Sequence, residues 1–417
     1  MTGFFDDLER RAPQDREADL FGRLPAFLAA AVHDAPGLKA WLGDVDLASL
    51  TSRQALARLP VLRKAELMEM QAKNPPFGGF AGAAHINGGR IFMSPGPIWE
   101  PQGLAADPAQ AARAFFAAGV RPGAVVHNAF SYHMTPGGFM LDHGARALGC
   151  AVFPAGTGNT EMQVEAAAAL RPDVYAGTPD FLKVILDRAG EMGKDLSSIR
   201  HGLVSGGALF PSLRAEYFAR GVAVFQCYAT AEFGIIAYES ADADGAPNPG
   251  LIVNENLILE IVRPGTGDPV PDGEVGEMVL TSLNPAYPMV RLGTGDLSAI
   301  LPGLSPCGRT APRIKGWMGR ADQRTKVKGM FVDPRQIAEI VGRNAGIAKA
   351  RLVVGRDGAR DTMALHVEPA AGAALDAAVL EASLREITKL GGTVHLAAPG
   401  SLPNDGKVIA DERDYAG

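Results

Sequence analysis

Residues 173–230 read DVYAGTPDFLKVILDRAGEMGKDLSSIRHGLVSGGALFPSLRAEYFARGVAVFQCYAT in this 417-residue chain. Three short β-rich runs, DVYAG, HGLVSG and AVFQCYA, alternate with two apolar helical patterns that begin at Pro179 and Pro211. Proline suits the first turn of a helix, because the amide hydrogen that it lacks has no intrahelical partner there. Strands and helices that alternate at this spacing form βαβ units, so the stretch predicts a largely parallel sheet.

The alternation continues upstream to about residue 105, and residues 20–72 before it have the apolar spacing of helices. Asp107 and Pro108 suit the N-cap and first turn of a helix that reads AQAARAFFAAGV. Residues 251–302 differ, because LIVNENLILEIV, GEMVLTSLN and YPMVRLGTGDLSAIL read as antiparallel strands joined by Gly/Asp turns. This part predicts a small, β-barrel-like antiparallel region beside the βαβ-type sheets.

After Gly319 and Arg320 the pattern changes to strand, helix, two strands, helix and strand, an order that suits a ferredoxin-like domain. The charged joint at this point suits a hinge, since few contacts cross such a linker. We therefore predict an α/β protein with a large N-terminal domain, residues 1–320, which holds the ligand sites. A small mobile α+β domain, residues 321–417, follows it.

Composition limits the classes of partner. Forty basic and 46 acidic residues give a net charge of −6, which argues against nucleic acid as a partner. The sequence contains no run of about 18 apolar residues and no basic start followed by an apolar stretch, so we expect a cytoplasmic chain without a membrane partner. The three cysteines form no CxxC pair, so neither zinc nor disulfides are expected.

Four segments contain residues whose side chains are suited to catalysis or ligand binding. In YATAEFG, residues 228–234, a carboxylate at a strand end can hold Mg²⁺ and an aromatic ring can stack on a purine. In RLGTGDLSAI, residues 291–300, an aspartate after a Gly-rich turn can accept ribose hydroxyls. The third is the charged joint, and the fourth is LPNDGK, residues 402–407, whose lysine can neutralise charge in a transition state. Alone, each is more often an ordinary loop, turn, linker or solvated lysine.

The order and spacing of these four segments resemble the core motifs of the adenylate-forming superfamily, which includes acyl-CoA synthetases and adenylation domains. The closest resemblance is to phenylacetate–CoA ligases, and it runs from about residue 20 to the end. It is supported by SYHMTPGGFMLDHGARALGCAVFPAGTGNTEMQV, RPDVYAGTPDFL, SGGALFP and DGEVGEMVLTSLNPAYPMVRLGTGDL. The resemblance implies that ATP activates a carboxylic acid, that pyrophosphate leaves, and that the C-terminal domain then rotates so that a thiol attacks the acyl-adenylate.

The resemblance also implies roles for residues that match the family's motifs. Tyr228 would stack on adenine, and Glu232 would ligate Mg²⁺ and take part in catalysis with Lys407, which serves adenylation. The nucleotide-binding residues would be Tyr228, Thr230, Asp296, Arg320, Ser94, Gly96 and Gly207. Asp322 sits at the hinge position, and the loop for thioester formation would contain Lys326, Lys328 and Gly329. The acid pocket would be lined by Tyr132, His133, Gly137, Ser205, Gly206 and Ala229. For His133, a pocket role and simple packing are equally good interpretations.

The chain departs from the family at the phosphate loop, which here reads FMSPGPIWEPQG, residues 92–103. Its prolines offer no N–H to a phosphate and Glu100 adds like charge, while Ser94 and Gly96 keep the usual character. Ala231 stands where the family carries Ser or Thr, so another donor is missing. This loop should hold β- and γ-phosphates poorly.

Three functions remain open from the sequence. The first is an AMP-forming ligase that uses ATP, Mg²⁺ and CoA to make an aryl- or short acyl-CoA. The second is an enzyme of the same fold that passes the adenylate to an amine, a carrier-protein thiol or a cofactor. The third is a non-catalytic protein that binds AMP or an acyl-adenylate. Relatives of this kind are commonly dimers, so a homodimer is also an expectation.

Overall fold

The computed structural model describes residues 3–242, 244–263, 267–321, 323–357, 360–403 and 408–413. Its α helices are α1 (Pro13–Asp34), α2 (Pro36–Leu42), α3 (Arg53–Leu56), α4 (Lys64–Lys73), α5 (Ala112–Ala117), α6 (Gly137–Ala147), α7 (Thr160–Leu170), α8 (Pro179–Glu191), α9 (Pro211–Ala219), α10 (Pro334–Arg343) and α11 (Ala377–Thr388).

The first eleven strands are β1 (Leu62–Arg63), β2 (Arg90–Ser94), β3 (Ile98–Gln102), β4 (Val125–Asn128), β5 (Ala151–Phe153), β6 (Val174–Gly177), β7 (His201–Val204), β8 (Ala223–Thr230), β9 (Gly234–Tyr238), β10 (Leu251–Val253) and β11 (Leu257–Val262). The others are β12 (Gly276–Ser282), β13 (Leu292–Ser298), β14 (Ile300–Leu301), β15 (Arg313–Ile314), β16 (Thr325–Val327), β17 (Met330–Val332), β18 (Ile347–Asp357), β19 (Arg360–Pro369), β20 (Thr393–Leu396) and β21 (Ile409–Asp411).

The chain forms two compact units. Unit 1 consists of Met1–Thr294 and Ser298–Trp317, and unit 2 consists of Gly295–Leu297 and Met318–Gly417. One short piece of β13, Gly295–Leu297, therefore belongs to unit 2, although the residues on both sides of it belong to unit 1. The sequence-based boundary at residue 320 stays a prediction about domains.

The largest sheet of unit 1 has nine strands in the order β14-β15-β10-β9-β8-β7-β6-β4-β5. Its β5-β4-β6-β7-β8 half is parallel, and β8-β9-β10-β15-β14 are antiparallel neighbours. Helices α5 to α9 connect or flank the parallel strands, as the alternation in residues 173–230 predicts. The α/β fold class is confirmed. Within the described chain the antiparallel region is an open four-stranded sheet, β1-β13-β12-β11, without barrel closure.

Helix α5 begins later than the sequence pattern suggests. Pro108 was expected in the first turn, whereas the helix starts at Ala112. The Asp107 carboxylate still caps this helix, because its two oxygens accept from the N–H groups of Ala111 at 3.0 Å and Ala112 at 2.8 Å. The Asp107 side chain therefore reaches past residues 108–110 to the start of the helix, whereas an ordinary N-cap residue lies immediately before its helix.

Unit 2 carries the four-stranded sheet β20-β19-β18-β21, with α10 and α11 packed on a core that includes Leu352, Leu365 and Leu384. The expected first strand, TKVKGMFV, instead folds into the separate β16–β17 hairpin. The edge position is filled by β21, which pairs parallel with β18 near the end of the chain. The α+β class agrees with the sequence pattern, and the strand order differs from it.

A buried arginine joins the helical part of unit 1 to its four-stranded sheet. The Arg291 side chain is 1% exposed and binds Glu260 on β11 through Nε at 2.9 Å and Nη2 at 3.1 Å. Its nitrogens also donate to the carbonyls of Ala57 and Gly267, at 2.9 and 2.7 Å, and to that of Leu59. All these partners would lose their hydrogen bonds if the guanidinium were removed.

We expect Arg291→Leu to lower the free energy of unfolding by roughly 3–5 kcal/mol, because it leaves the Glu260 carboxylate buried without its charge partner. Chemical denaturation followed by fluorescence would measure the change. Arg23→Leu is the matched control, since its ion pair with Asp19 is surface-exposed and should contribute below about 1 kcal/mol. Equal effects of both substitutions would contradict the assigned role of Arg291.

Candidate functional site

Glu232 lies at the tip of the β8–β9 hairpin, beyond the carboxyl end of a central strand. The hairpin closes through the pairs Ala229↔Ile235 and Thr230↔Gly234. Gly234 has φ 71°, and a Cβ there would come within 2.6 Å of the Ala109 backbone. Only glycine fits both the positive φ and this close approach, so the hairpin tip is held firmly against the segment before α5.

Lys64, the first residue of α4, forms an ion pair with Glu232. The Nζ atom lies 2.7 Å from Oε1, and the Glu232 side chain is 1% exposed whereas that of Lys64 is 29% exposed. Burial opposes ionisation of Glu232, but the ammonium of Lys64 outweighs it and lowers the pKa of this carboxyl below its ordinary value. Glu232 is therefore a carboxylate at neutral pH.

The second oxygen of Glu232, Oε2, accepts no hydrogen bond from any residue that the structure describes, although it is fully buried. The Thr230 hydroxyl is buried beside this carboxyl group and helps to lower its pKa. Mg²⁺ in nucleotide sites commonly takes one or two carboxylate oxygens and completes its shell with phosphate oxygens and water. An orphaned carboxylate oxygen fits such an ion. No group of three or more metal-ligating side chains occurs among the described residues.

The segment expected as a phosphate loop is a β hairpin. Strands β2 and β3 pair from Arg90↔Gln102 to Ser94↔Ile98, so the turn consists of Pro95, Gly96 and Pro97. Gln71 on α4 anchors the hairpin through both atoms of its amide: Nε2 donates to the Trp99 carbonyl and Oε1 accepts from the Trp99 N–H, each at 2.8 Å. The Tyr287 hydroxyl donates to the same carbonyl at 3.2 Å.

Glu100 points from this hairpin into the interior, where it is 1% exposed. Its carboxyl accepts the backbone N–H of Ser94 at 3.2 Å and the Ser94 hydroxyl. Burial, together with the nearby negative charge of Glu232, raises the pKa of Glu100 to about 8, although Ser94 and Lys64 act in the opposite direction. The hairpin thus brings a second acidic side chain to the Lys64–Glu232 pair.

We expect Glu100→Gln to stabilise the protein at pH 8.5 and to change little at pH 5. The raised pKa means that between about pH 4.5 and 8 the folded protein keeps a proton that the unfolded chain has lost, so stability falls as pH rises through this window. The glutamine side chain does not ionise, so Glu100→Gln avoids this loss of stability, which is on the order of a few kcal/mol. Thermal unfolding across pH would measure it, and a gain of equal size at pH 5 would contradict the prediction.

Two of the predicted acid-pocket residues, Gly137 and Gly206, lie beside the ring of Phe130, which the sequence analysis did not name. A Cβ on Gly137 would lie 3.5 Å from this ring, and one on Gly206 would lie 3.6 Å from it. Gly206 has φ 71°, and the neighbouring Ser205 hydroxyl donates to the Cys227 carbonyl at 2.7 Å, which ties the end of β7 to β8. Both glycines therefore lie close to the Phe130 ring.

Tyr132 and His133 differ in their surroundings. The Tyr132 hydroxyl accepts from the Asn128 amide at 2.7 Å and donates to Asp142 at 3.1 Å, so it is used inside the protein. Burial raises the pKa of this phenol well above its ordinary value. His133 is exposed, and its backbone N–H donates to the Ser131 hydroxyl at 3.1 Å. Its pocket role stays a prediction.

A separate cavity of about 520 Å³ in unit 1 touches the other side of the hairpin tip at Glu232 and Phe233. Its lining is rich in charged and amide side chains, which include Arg23, His85, Asn87, Asp107, Gln110, Asn256 and Asn284. Aromatic or aliphatic acids are usually held by apolar walls. None of the acid-pocket residues that the resemblance names lines this cavity.

In unit 2, Asp296 and Arg320 meet directly, with Arg320 Nη1 2.7 Å from Asp296 Oδ1 and a β-bridge between the two residues. Two of the residues that the resemblance assigns to the nucleotide are thus brought together. Lys328 and Gly329 form the turn between β16 and β17, both at positive φ, and Lys326 lies on β16. Asp322 and Lys407 lie outside the described residues.

Two residues of the site have no sequence signal that could have placed them. Lys64 is an ordinary lysine in a helical pattern, and Phe130 is one apolar residue in a loop. Glu100 was noticed as a like charge, but its contact with Ser94 depends on the hairpin register.

Comparison with characterised proteins gives the family. A phenylacetate–coenzyme A ligase of Aromatoleum evansii is 32% identical over 337 residues, which are 78% of this chain and 73% of the relative. One from Pseudomonas putida is 31% identical over 87% of this chain and 86% of its own length. The chain belongs to the phenylacetate–CoA ligase family.

The family model for AMP-binding enzymes matches residues 130–286, which contain the Glu232 hairpin and the Phe130 loop. Among solved structures, a 2-hydroxyisobutyryl-CoA ligase in complex with 2-HIB-AMP and CoA has a TM-score of 0.77 and 26% identity, over 98% of this chain and 92% of that one. This member of the phenylacetate–CoA ligase family therefore has the fold of an AMP-forming acid–CoA ligase. No helix within the described ranges is both long and apolar enough to span a membrane.

Proposed function

We propose that this chain forms an acyl-CoA thioester from an aryl or short acyl acid, with ATP consumed through an acyl-adenylate. The observation that carries the proposal is the buried Glu232 carboxylate at the β8–β9 tip, with one oxygen held by Lys64 and the other unpaired. The named phenylacetate–CoA ligases and the CoA ligase structure bound to an acyl-adenylate support the same reaction.

In this reaction the acid's carboxylate attacks the α-phosphate of ATP, and pyrophosphate leaves to give the mixed anhydride. The CoA thiol then attacks the acyl carbon, loses its proton, and AMP leaves. Glu232 Oε2 would hold Mg²⁺ together with the phosphates, and the ion would supply neutralising charge to them. Lys64 keeps Glu232 ionised and fixed, since an ammonium at 2.7 Å favours the charged carboxylate.

The acid would lie against Phe130, between Gly137 and Gly206. Gly207 has no side chain and Ala229 has only a methyl group, so neither would obstruct the acid. The Tyr132 ring would contribute an aromatic edge while its hydroxyl stays with Asn128 and Asp142. A pocket of glycines and aromatic rings recognises planar apolar groups by contact area and ring stacking. This favours an aryl acid or a short acyl chain.

Other roles in the proposal are supported by motif order. Tyr228 and Thr230 would contact the nucleotide with Ser94 and Gly96, and Asp296 with Arg320 would hold the ribose. Lys407 would serve adenylation, Asp322 would act as the hinge, and the β16–β17 turn would serve the thioester step. A cytoplasmic location and a homodimer belong to the same proposal, and size-exclusion chromatography would check the latter.

A panel of aryl and short-chain acids would test the function by pyrophosphate release without CoA and by acyl-CoA formation with it. We expect Lys407→Ala to reduce pyrophosphate release by about 100-fold or more, because a cation that stabilises developing charge has an effect of this size. Lys39→Ala, an exposed lysine on α2, is the control and should match the wild type. Unchanged release by Lys407→Ala, or no productive acid, would contradict the proposal.

The acid pocket can be tested through its size selectivity. Phe130→Ala should shift kcat/KM by about tenfold in favour of bulkier ring-substituted acids over the best wild-type acid, since a lost ring opens apolar volume. Phe218→Ala is the control, because Phe218 is 63% exposed on α9. If the rank order of acids is the same in both variants, Phe130 does not line the pocket.

A further inference from the structure

The donor groups of the β2–β3 hairpin are already occupied by the chain itself. Ser94 presents a backbone N–H and a hydroxyl at one point, and both donate to the Glu100 carboxyl. A backbone N–H and a hydroxyl that converge on one acidic group form the arrangement by which proteins hold phosphate and carboxylate ligands. Here the ligand's place is taken by a side chain six residues further along the same hairpin.

The nearest cation is occupied in the same way. Lys64 lies against Glu232 at 2.7 Å, and its charge also acts on Glu100. The turn between the strands adds little, because Pro95 and Pro97 have no N–H to donate. Ser94 is thus hydrogen-bonded to Glu100 before any nucleotide is present. Lys64 is likewise paired with Glu232.

We propose that Glu100 sets the selectivity of the nucleotide site, by occupying the Ser94 donors that a triphosphate would use and so favouring AMP and acyl-adenylates over ATP. The inference rests on the nucleotide site of the proposed function and extends it to a residue that determines specificity. The β- and γ-phosphates can reach Ser94 only if the Glu100 carboxyl gives up both hydrogen bonds and its place. An adenylate has neither phosphate and makes no such demand.

The carboxyl is well placed to resist displacement. It is 1% exposed, and the hairpin that carries it is anchored by Gln71 and Tyr287 through the neighbouring Trp99. A group that leaves this position must be accommodated elsewhere in a closely packed region. Displacement of the Glu100 carboxyl therefore weakens the binding of ATP but not that of the adenylate intermediate. The enzyme would retain its intermediate while showing a high KM for ATP.

Calorimetric binding of AMP and of ATP to the full chain, with MgCl₂ and without acid or CoA, would test the inference. Wild type should bind AMP more tightly than ATP. Glu100→Ser frees both Ser94 donors and should raise ATP affinity about tenfold, the effect of one or two hydrogen bonds to a charged ligand, while AMP affinity changes less than twofold. The double variant Ser94→Ala with Glu100→Ser should lose most of this gain, because the freed hydroxyl is then absent and only the backbone N–H of residue 94 remains.

Two further variants keep the test decisive. Glu100→Gln preserves the size of the side chain, so it tests the inference if Glu100→Ser does not fold; one remaining acceptor predicts a gain of about threefold for ATP. Glu69→Ser makes the same substitution at an exposed glutamate of α4, and should leave ATP affinity as it is.

The inference is overturned if Glu100→Ser and Glu100→Gln bind ATP as the wild type does, if AMP gains as much as ATP, or if Glu69→Ser gives the same gain. It is also overturned if the double variant keeps the gain. When these results occur in a protein that still releases pyrophosphate with an acid, the proposed function stands and only the role of Glu100 falls. A wild type that binds neither nucleotide removes both.

Discussion

The guanidinium of Arg291 is enclosed in unit 1, where it binds Glu260 on β11 and the carbonyls of Ala57, Leu59 and Gly267. The backbone carbonyl of Arg291 accepts the N–H of Leu62 at 3.0 Å, and strand β1 begins there beside β13. Lys64 follows two residues later as the first residue of α4. The position of the ammonium that meets Glu232 is therefore set by a chain of contacts that begins at this buried arginine.

The charges near the Glu232 hairpin are balanced within the protein. One ammonium serves two carboxyl groups, and the low dielectric of the interior does not allow both acids to be charged at low cost. The balance is reached by keeping Glu232 ionised and raising the pKa of Glu100 to about 8. An incoming triphosphate brings more negative charge to this place, which an ion at Glu232 Oε2 would offset. The same three side chains thus connect stability, pH dependence and nucleotide choice.

The sequence predicted the parallel half of the sheet well, because apolar periodicity and helix-starting prolines are local signals. It also placed Glu232 just beyond the end of a strand, which is β8 in the structure, whereas Ser205 and Gly206 were named through the family resemblance. The hairpin at residues 90–102 was expected as a loop, because the pairs that shape it are stabilised by Gln71 and Tyr287 from distant parts of the chain.

The roles of Lys64 and Phe130 could not be predicted for the same reason. Lys64 meets Glu232 across a long stretch of sequence, and Phe130 lies beside Gly137 and Gly206, which come from different parts of the chain. The resemblance assigned Tyr132 to the acid pocket, but that its hydroxyl is bonded to Asn128 and Asp142 is a detail that no spacing reveals. Composition and periodicity describe elements, whereas sites depend on contacts between residues far apart in the chain.

The division of β13 between the two units has a consequence for any attempt to separate them. The chain passes from one unit to the other at three places, after Thr294, Leu297 and Trp317. The short piece in the middle belongs to unit 2, where Leu297 N–H donates to the Gly319 carbonyl and Ala321 N–H donates to that of Gly295, both at 2.8 Å. A single proteolytic cut cannot release unit 2 intact, and a fragment expressed from residue 318 onward would lack Asp296 and leave Arg320 without that carboxylate.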